Sequence, residues 1–150
     1  MIIAASNDGS DTSFFEENYL LSTPVEGMYD AIAQLVSDRF GENTYIISKC
    51  GARVEKRTRE WLQYNDFYNR TGMHPDHVRF TRTREGKAPI CDELGITHFV
   101  DDRLDVLRHM TNVQHQFLFQ GHAREMERYK HLLRTVHHVH TWQEIVEVLL

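Results

Sequence analysis

The chain alternates short apolar runs with segments whose apolar residues recur at helical spacing, and this alternation limits the folds open to it. Runs rich in β-branched and aromatic residues at 44–47, Val78–Thr81 and 117–119 predict strands. Apolar residues repeat with the period of a helix before the first run, as at Ala31, Ile32 and Leu35, and again between the first run and the second. Neighbouring parallel strands need helical crossovers, so the alternation predicts an α/β three-layer sandwich with a mainly parallel sheet.

Turn and capping residues predict where further elements begin and end. Thr23, Pro24 and Glu26 have the spacing of a capping box with proline at the first helical position, which predicts a helix starting there. Thr141 and Glu144 repeat the capping spacing before a final apolar helix. The remaining predicted elements are an opening strand at 2–5, an amphipathic helix at 52–68, a helix at 88–94, a short strand ending at Asp101 and a surface helix at 124–134.

Length and charge restrict the class of protein. With 150 residues and 41% hydrophobic content, the chain is expected to form one domain spanning residues 1–150. A net charge of −5 and the absence of a Lys/Arg run argue against nucleic acid as the partner. The start lacks the pattern of a signal peptide and no apolar stretch has membrane-spanning length, so we expect a cytoplasmic protein without a membrane partner. Cys50 and Cys91 are expected to be reduced and mostly buried.

The segment from Gly86 to Leu107 contains the most informative polar residues. Lys87 lies near the start of a short predicted helix there, and Asp101 and Asp102 fall where the following strand should end. Ligands of open α/β sheets gather at the carboxyl ends of strands. Two adjacent carboxylates at such a position fit either a divalent-metal site or a helix N-cap with a solvated neighbour.

Other polar residues follow the predicted strands in a recognisable order. The opening strand is followed by Ser6-Asn-Asp8-Gly, the second strand closes on Ser48, and Lys87 and the Asp101-Asp102 pair come later. This order resembles the four motifs of the haloacid dehalogenase superfamily of phosphatases and phosphotransferases. The resemblance covers nearly the whole chain, and it implies a Rossmann-like fold of that superfamily with its site at the carboxyl edge of the sheet.

The resemblance also implies a role for each matching residue. Ser48 would bind the phosphoryl group, Lys87 would offset negative charge, and Asp101 and Asp102 would hold Mg²⁺ together with Asp8, which would also act as general acid and base. Phosphoryl transfer is mostly positioning and charge neutralisation, so a hydroxyl, a cation and a carboxylate-bound Mg²⁺ suit it. The expected partner is a small phosphorylated or anionic ligand.

The chain departs from the superfamily at Ser6, which stands where the first motif has its nucleophilic aspartate. A serine hydroxyl is protonated near neutral pH and is a poor Mg²⁺ ligand, so both functions of that aspartate are weakened. Three hypotheses remain open. The chain is a relative that has lost phosphatase chemistry and keeps a phosphate and Mg²⁺ site, or it is a phosphohydrolase in which Asp8 activates a water or Ser6 and the Asp pair direct a metal-bound one. The third hypothesis is a non-catalytic structural or interaction module.

Three further segments bear on the site. Residues 11–23 leave room for a small flap, so no large cap domain is expected. The basic stretch at 79–84 fits either an anion-binding rim or the solvated edge of a strand. His138 and His140 would share one face of a strand, but an ordinary connecting strand at 137–140 is favoured over a zinc site.

Overall fold

The computed structural model describes residues 1–4 and 17–150, which form a mixed α/β structure. Its strands are β1 (Ile46–Lys49), β2 (Val78–Thr81), β3 (His98–Asp101), β4 (His115–Phe119) and β5 (His137–Val139). Its α-helices are α1 (Met28–Leu35), α2 (Ala52–Tyr64), α3 (Phe67–Thr71), α4 (Lys87–Leu94), α5 (Leu104–Leu107), α6 (Ala123–Arg128) and α7 (Trp142–Leu149). A π-helical turn, Val36–Phe40, extends α1, and 3-10 turns occupy Tyr19–Leu21, Gly41–Asn43, Pro75–His77 and Lys130–Arg134.

The strands form two parallel sheets. β1 pairs with β2, with Ser48 opposite Phe80, and β3, β4 and β5 form a second sheet in that order. Every ladder between these named strands is parallel, as the strand and helix alternation predicts. The expected parallel pairing is therefore confirmed. The strands form two sheets, however, and not the single sheet that the sequence predicts.

Side chains of β4 show that helices cover both faces of the three-stranded sheet. Phe117 and Phe119 pack into a core with residues of α1, α2, α3 and α7. Leu118, which points the other way, packs into a second core with residues of α4 and α5. Burial of each such side chain contributes about 1.5–3 kcal/mol. Ile46 and Ile47 of β1 divide between the same two cores, so both sheets share them.

The opening residues pair differently from the predicted arrangement. Ile3 forms an isolated antiparallel bridge with Pro24, and Ala5 lies outside the described residues. The Ala4 amide donates to the Thr23 carbonyl at 2.7 Å, and the Val25 amide donates to the Ile2 carbonyl at 2.8 Å. Residues 2–4 therefore do not join either sheet.

This pairing also displaces the first helix, so the helix start predicted at Thr23 is wrong. α1 begins at Met28, after Gly27 in a left-handed conformation with φ of 77°. In a helix capped by Thr23, the Thr23 carbonyl would accept the first helical hydrogen bond, but it accepts from the Ala4 amide of the opening segment instead. The helical spacing at Ala31 to Leu35 is confirmed within α1.

Two other predicted helix boundaries have different outcomes in the structure. The helix predicted over 52–68 is interrupted at Asp66, whose φ of 55° lies in the left-handed region, and it becomes α2 and α3. The cap predicted at Thr141 is confirmed, because the Glu144 amide donates to the Thr141 hydroxyl at 3.1 Å. The Glu144 carboxylate in turn accepts from the His140 amide at 2.9 Å.

Both cysteines are free thiols, Cys91 buried and Cys50 half-buried, as the sequence predicts. Burial raises the pKa of the Cys91 thiol to about 11, so this side chain is unreactive near neutral pH. Among the helices of residues 1–4 and 17–150, none combines the length and apolarity needed to cross a bilayer.

A pair of histidines lies at the amino end of the three-stranded sheet. The His98 ring stacks on the His115 ring with centroids 4.4 Å apart, and Phe40 packs edge-on against His98 with centroids 5.2 Å apart. Burial lowers the pKa of His98, and the charges of His115 and Arg39 lower it further. The folded protein therefore favours the neutral form of His98.

The lowered pKa of His98 predicts a loss of stability in mild acid. The contribution of neutral His98 is present above the ordinary histidine pKa near ~6.5 and is lost as pH falls through the folded pKa. Urea unfolding at intervals between pH 7 and pH 5 should show a smaller decline in unfolding free energy for His98→Gln than for wild type. His131→Gln, which removes an exposed histidine, should keep the wild-type decline. Equal declines in all three proteins would contradict the assignment.

Candidate functional site

Four of the six predicted site residues line one cavity of about 520 Å³ at the carboxyl ends of β1 and β3: Ser48, Lys87, Asp101 and Asp102. The other two, Ser6 and Asp8, lie outside the described residues. The parallel direction of the strands explains the grouping, since parallel strands bring their carboxyl ends to the same edge. The cavity is also lined by apolar side chains of the opening segment, β1 and α2.

The Ser48 side of the cavity combines a hydroxyl with the start of a helix. Ser48 lies within β1 and not just after it, because the strand continues to Lys49. Gly51, which also lines the cavity, precedes α2 and provides no side-chain cap for it. Helix amino termini carry unpaired amides and partial positive charge, so this end of α2 adds to the attraction for an anion.

A buried ion pair also lines the cavity. The Lys87 ammonium donates to Asp101 Oδ2 at 2.7 Å, and the two residues are 9% and 3% exposed. The Arg103 amide donates to Asp101 Oδ1 at 3.0 Å. Burial raises the pKa of Asp101, and Lys87 opposes that effect by stabilising the carboxylate. Both Asp101 oxygens therefore already accept a hydrogen bond.

Asp102 is the more available carboxylate. Its side chain is 45% exposed, and Oδ2 lies 3.5 Å from His122 Nε2. Burial works against its charged form, but the amino-terminal ammonium, Asp101 and His122 together lower the pKa of Asp102 below its usual value. Asp102 is thus ionised at neutral pH and faces the cavity.

Asp101 and Asp102 fit Mg²⁺ by the type of their donor atoms. Mg²⁺ prefers hard oxygen ligands and often binds through one or two carboxylates while keeping several waters. Within residues 1–4 and 17–150, no group of three His, Cys, Asp or Glu side chains is arranged to hold a metal ion. Asp8, the third predicted ligand, is outside these residues.

The structure adds residues to the cavity that the sequence did not assign. Lys49, Gly51 and Thr58 also line it, and Lys49 is exposed. The position of Lys49 directly after Ser48 was the available signal, since strand ends collect ligand-binding side chains. Thr58 gave no such signal, because it lies nearly two turns into α2 and reaches the cavity only through packing of that helix.

Among the residues that the structure describes, two other predicted features do not line the cavity. The described part of the flap predicted at 11–23 starts at Glu17, and its 3-10 turn Tyr19–Leu21 packs on α2, where the Tyr19 hydroxyl bonds to Glu60. His138 and His140 have ring centroids 4.6 Å apart, and His138 Nε2 lies 2.6 Å from the Gln120 carbonyl oxygen.

Comparisons of the chain with protein-family models, with curated proteins and with solved structures find no match. The resemblance to the haloacid dehalogenase superfamily therefore depends on the order and spacing of the four motifs. The shared cavity of Ser48, Lys87, Asp101 and Asp102 is an independent observation from the structure.

Because the Lys87-Asp101 pair is buried, removing the lysine cation should greatly lower the unfolding free energy. Lys87→Met leaves the Asp101 carboxylate buried without its counter-charge, which should lower the unfolding free energy at pH 7 by about 3–5 kcal/mol. The variant's Asp101 has a folded pKa above its unfolded pKa, so the deficit should shrink as pH falls and the carboxyl protonates. Urea unfolding at pH 7 and pH 5 measures both effects.

A matched control is available in the exposed Lys130-Glu127 pair, in which the two side chains are 75% and 80% exposed. Lys130→Met should cost about 0–1 kcal/mol, because water screens an exposed pair. A Lys87→Met cost no larger than that of Lys130→Met would show that the Lys87-Asp101 pair is not effectively buried.

Proposed function

We propose that this chain binds a small phosphorylated ligand together with Mg²⁺ in the cavity at the carboxyl ends of β1 and β3, as a relative of the haloacid dehalogenase superfamily with impaired phosphatase chemistry. The observation that supports the proposal is the convergence of Ser48, Lys87 and Asp102 on one cavity. Together these groups offer a hydroxyl donor, a cation and an ionised carboxylate.

The ligand phosphate belongs on the Ser48 side. The Ser48 hydroxyl can donate a hydrogen bond to a phosphate oxygen, and the uncapped start of α2 favours negative charge there. Lys49 at the rim adds a cation that no ion pair in the described residues engages. These groups recognise a phosphate without requiring any particular attached group.

The metal belongs at the Asp101-Asp102 pair. Asp102 would supply the principal carboxylate and Asp101 the second one, while Lys87 keeps Asp101 charged and fixes its orientation. Bound Mg²⁺ would neutralise phosphate charge. The negative charge of a bound phosphate would therefore be neutralised both by the groups around Ser48 and by Mg²⁺.

Ser6 explains why we propose binding with impaired hydrolysis. The first-motif aspartate that the superfamily uses as a nucleophile is a serine in this chain. A neutral hydroxyl needs an activating base before it can attack phosphorus, whereas a carboxylate is already anionic. Binding groups on β1, α4 and β3 do not depend on that substitution.

Calorimetric titration tests the binding proposal. Wild-type protein in low-salt buffer with Mg²⁺ should bind inorganic phosphate, and Ser48→Ala should weaken that binding about tenfold or more through loss of a hydrogen bond to a charged group. Ser37→Ala is the matched control, because Ser37 is exposed and does not line the cavity. If millimolar phosphate and Mg²⁺ give neither heat nor thermal stabilisation of the wild type, the proposal is wrong.

Restoring the first-motif carboxylate tests the assignment of Ser6. Ser6→Asp should introduce Mg²⁺-dependent hydrolysis of a generic aryl phosphate, measured by release of the phenolate, because an anionic nucleophile and metal ligand has been added. Ser6→Asn has nearly the same shape without the charge and should remain at the wild-type rate. A folded Ser6→Asp protein that binds phosphate but hydrolyses nothing would contradict the view that Ser6 is the missing part.

A further inference from the structure

The two sides of the proposed site belong to different sheets. Ser48 is in β1, which pairs with β2, whereas Asp101 ends β3, which pairs with β4. Within the described residues, no backbone ladder joins β1 to β3. The shared apolar cores pack the faces of both sheets, and polar contacts near the carboxyl edge also connect the described parts of the two sides.

Residues 82–86, the loop between β2 and α4, make such contacts toward the Ser48 side. Arg82 Nη1 donates to the Cys50 carbonyl at 2.9 Å and to Glu55 Oε1 at 2.9 Å. Cys50 lies two residues after Ser48, and Glu55 is in the first turn of α2. Arg82 therefore ties the loop to the junction of β1 and α2.

Arg84 ties the same loop to the metal side. Its Nη1 donates to Asp105 Oδ2 at 3.0 Å, and Asp105 is in α5, three residues after Asp102. The side chains of Arg84 and Asp105 are 37% and 21% exposed, so the pair is partly shielded from water. Asp105 also accepts from Arg108 Nε at 2.6 Å, but Arg108 lies one turn away on the same segment, and its guanidinium otherwise lies over the Tyr129 ring, 5.4 Å from the centroid.

The loop is compact enough to transmit these contacts to Lys87. The Gly86 amide donates to the Thr83 hydroxyl at 3.1 Å, and the Lys87 amide donates to the Arg84 carbonyl at 3.3 Å. A Cβ atom on Gly86 would overlap the Thr81 hydroxyl, so the chain passes too close to itself there for a side chain. Lys87, the next residue, reaches Asp101.

We propose that residues 82–86 form a two-arginine strap in which Arg82 and Arg84 are positioning residues that set the spacing between the phosphate side and the metal side of the site. This inference rests on the proposed function for its ligands, although the strap itself is defined by contacts of the protein alone. The basic stretch at 79–84 thus has a third role, since two of its arginines pair with carboxylates of α2 and α5, the helices that follow β1 and β3.

The strap has a measurable consequence for ligand binding. Mg²⁺ near Asp102 attracts a phosphate near Ser48 through a Coulomb interaction that depends on their separation. Binding of one should therefore tighten binding of the other by roughly fivefold or more, and the factor should be the same in either order of addition. Releasing one end of the strap should reduce this coupling factor more than it changes either affinity measured alone.

Amide hydrogen exchange followed by NMR tests the strap without any ligand. In Arg84→Gln, the amides of Gly86 and Lys87 should exchange about tenfold faster or more, because opening of the loop becomes easier. Arg84→Lys keeps the charge and should restore part of the protection. Arg108→Gln, which removes an Asp105 partner without cutting the bridge, should leave both amides at the wild-type rate. Unchanged exchange in Arg84→Gln would overturn the strap.

Titrations of inorganic phosphate with and without Mg²⁺ test the positioning role. Arg84→Gln and Arg82→Gln should lower the coupling factor by roughly threefold or more, with partial rescue in Arg84→Lys and no change in Arg108→Gln. A wild-type coupling factor that persists in both glutamine variants overturns positioning, whatever their thermal stability. If the wild-type protein binds neither phosphate nor Mg²⁺, the proposed function is wrong. Faster exchange of the Gly86 and Lys87 amides in Arg84→Gln, with no change in Arg108→Gln, would in that case still support the strap.

Discussion

The buried ion pair between Lys87 and Asp101 is the interaction on which the organisation of the site depends. It joins the first residue of α4 to the last residue of β3 at a distance of 2.7 Å, in surroundings that leave both residues nearly inaccessible to water. Removing either charge would leave the other buried and uncompensated, which is why such pairs are costly to break. A pair of this kind contributes little net stability relative to apolar packing, so its value lies in fixing where a lysine and a carboxylate stand.

The seam between two parallel sheets gives this pair its importance. Ile46 and Ile47 of β1 pack into the same two cores as β3 and β4, so apolar burial holds the sheets together without specifying polar distances at their edge. Apolar contact is non-directional, whereas charge-assisted hydrogen bonds have defined lengths and angles. Arg82, Arg84 and Lys87 make directional contacts, and all three come from one short stretch, the loop after β2 and the first residue of α4.

Local sequence patterns predicted elements well where short-range interactions decide them. β2 has the predicted bounds Val78–Thr81, and the Thr141 cap forms as its spacing indicates. The Thr23 capping box failed for a long-range reason, since residues 2–4 take its backbone groups for an antiparallel bridge. The break at Asp66 was equally unpredictable from helical spacing, because apolar residues continue through it on both sides into the same core.

The sequence by itself determined the alternation of strands and helices, the parallel pairing, and the position of Asp101 and Asp102 at the end of a strand, because these follow from periodicity and chain direction. Tertiary structure alone decided that Lys87 would be buried against Asp101 and that Asp102 would stay open to the cavity. It also decided that Arg82 and Arg84 would bind carboxylates of two different helices, α2 and α5. Their partners lie 27 and 21 residues away along the chain. Charge type reveals that such residues can pair, but only the packed fold places a particular acid within hydrogen-bonding distance.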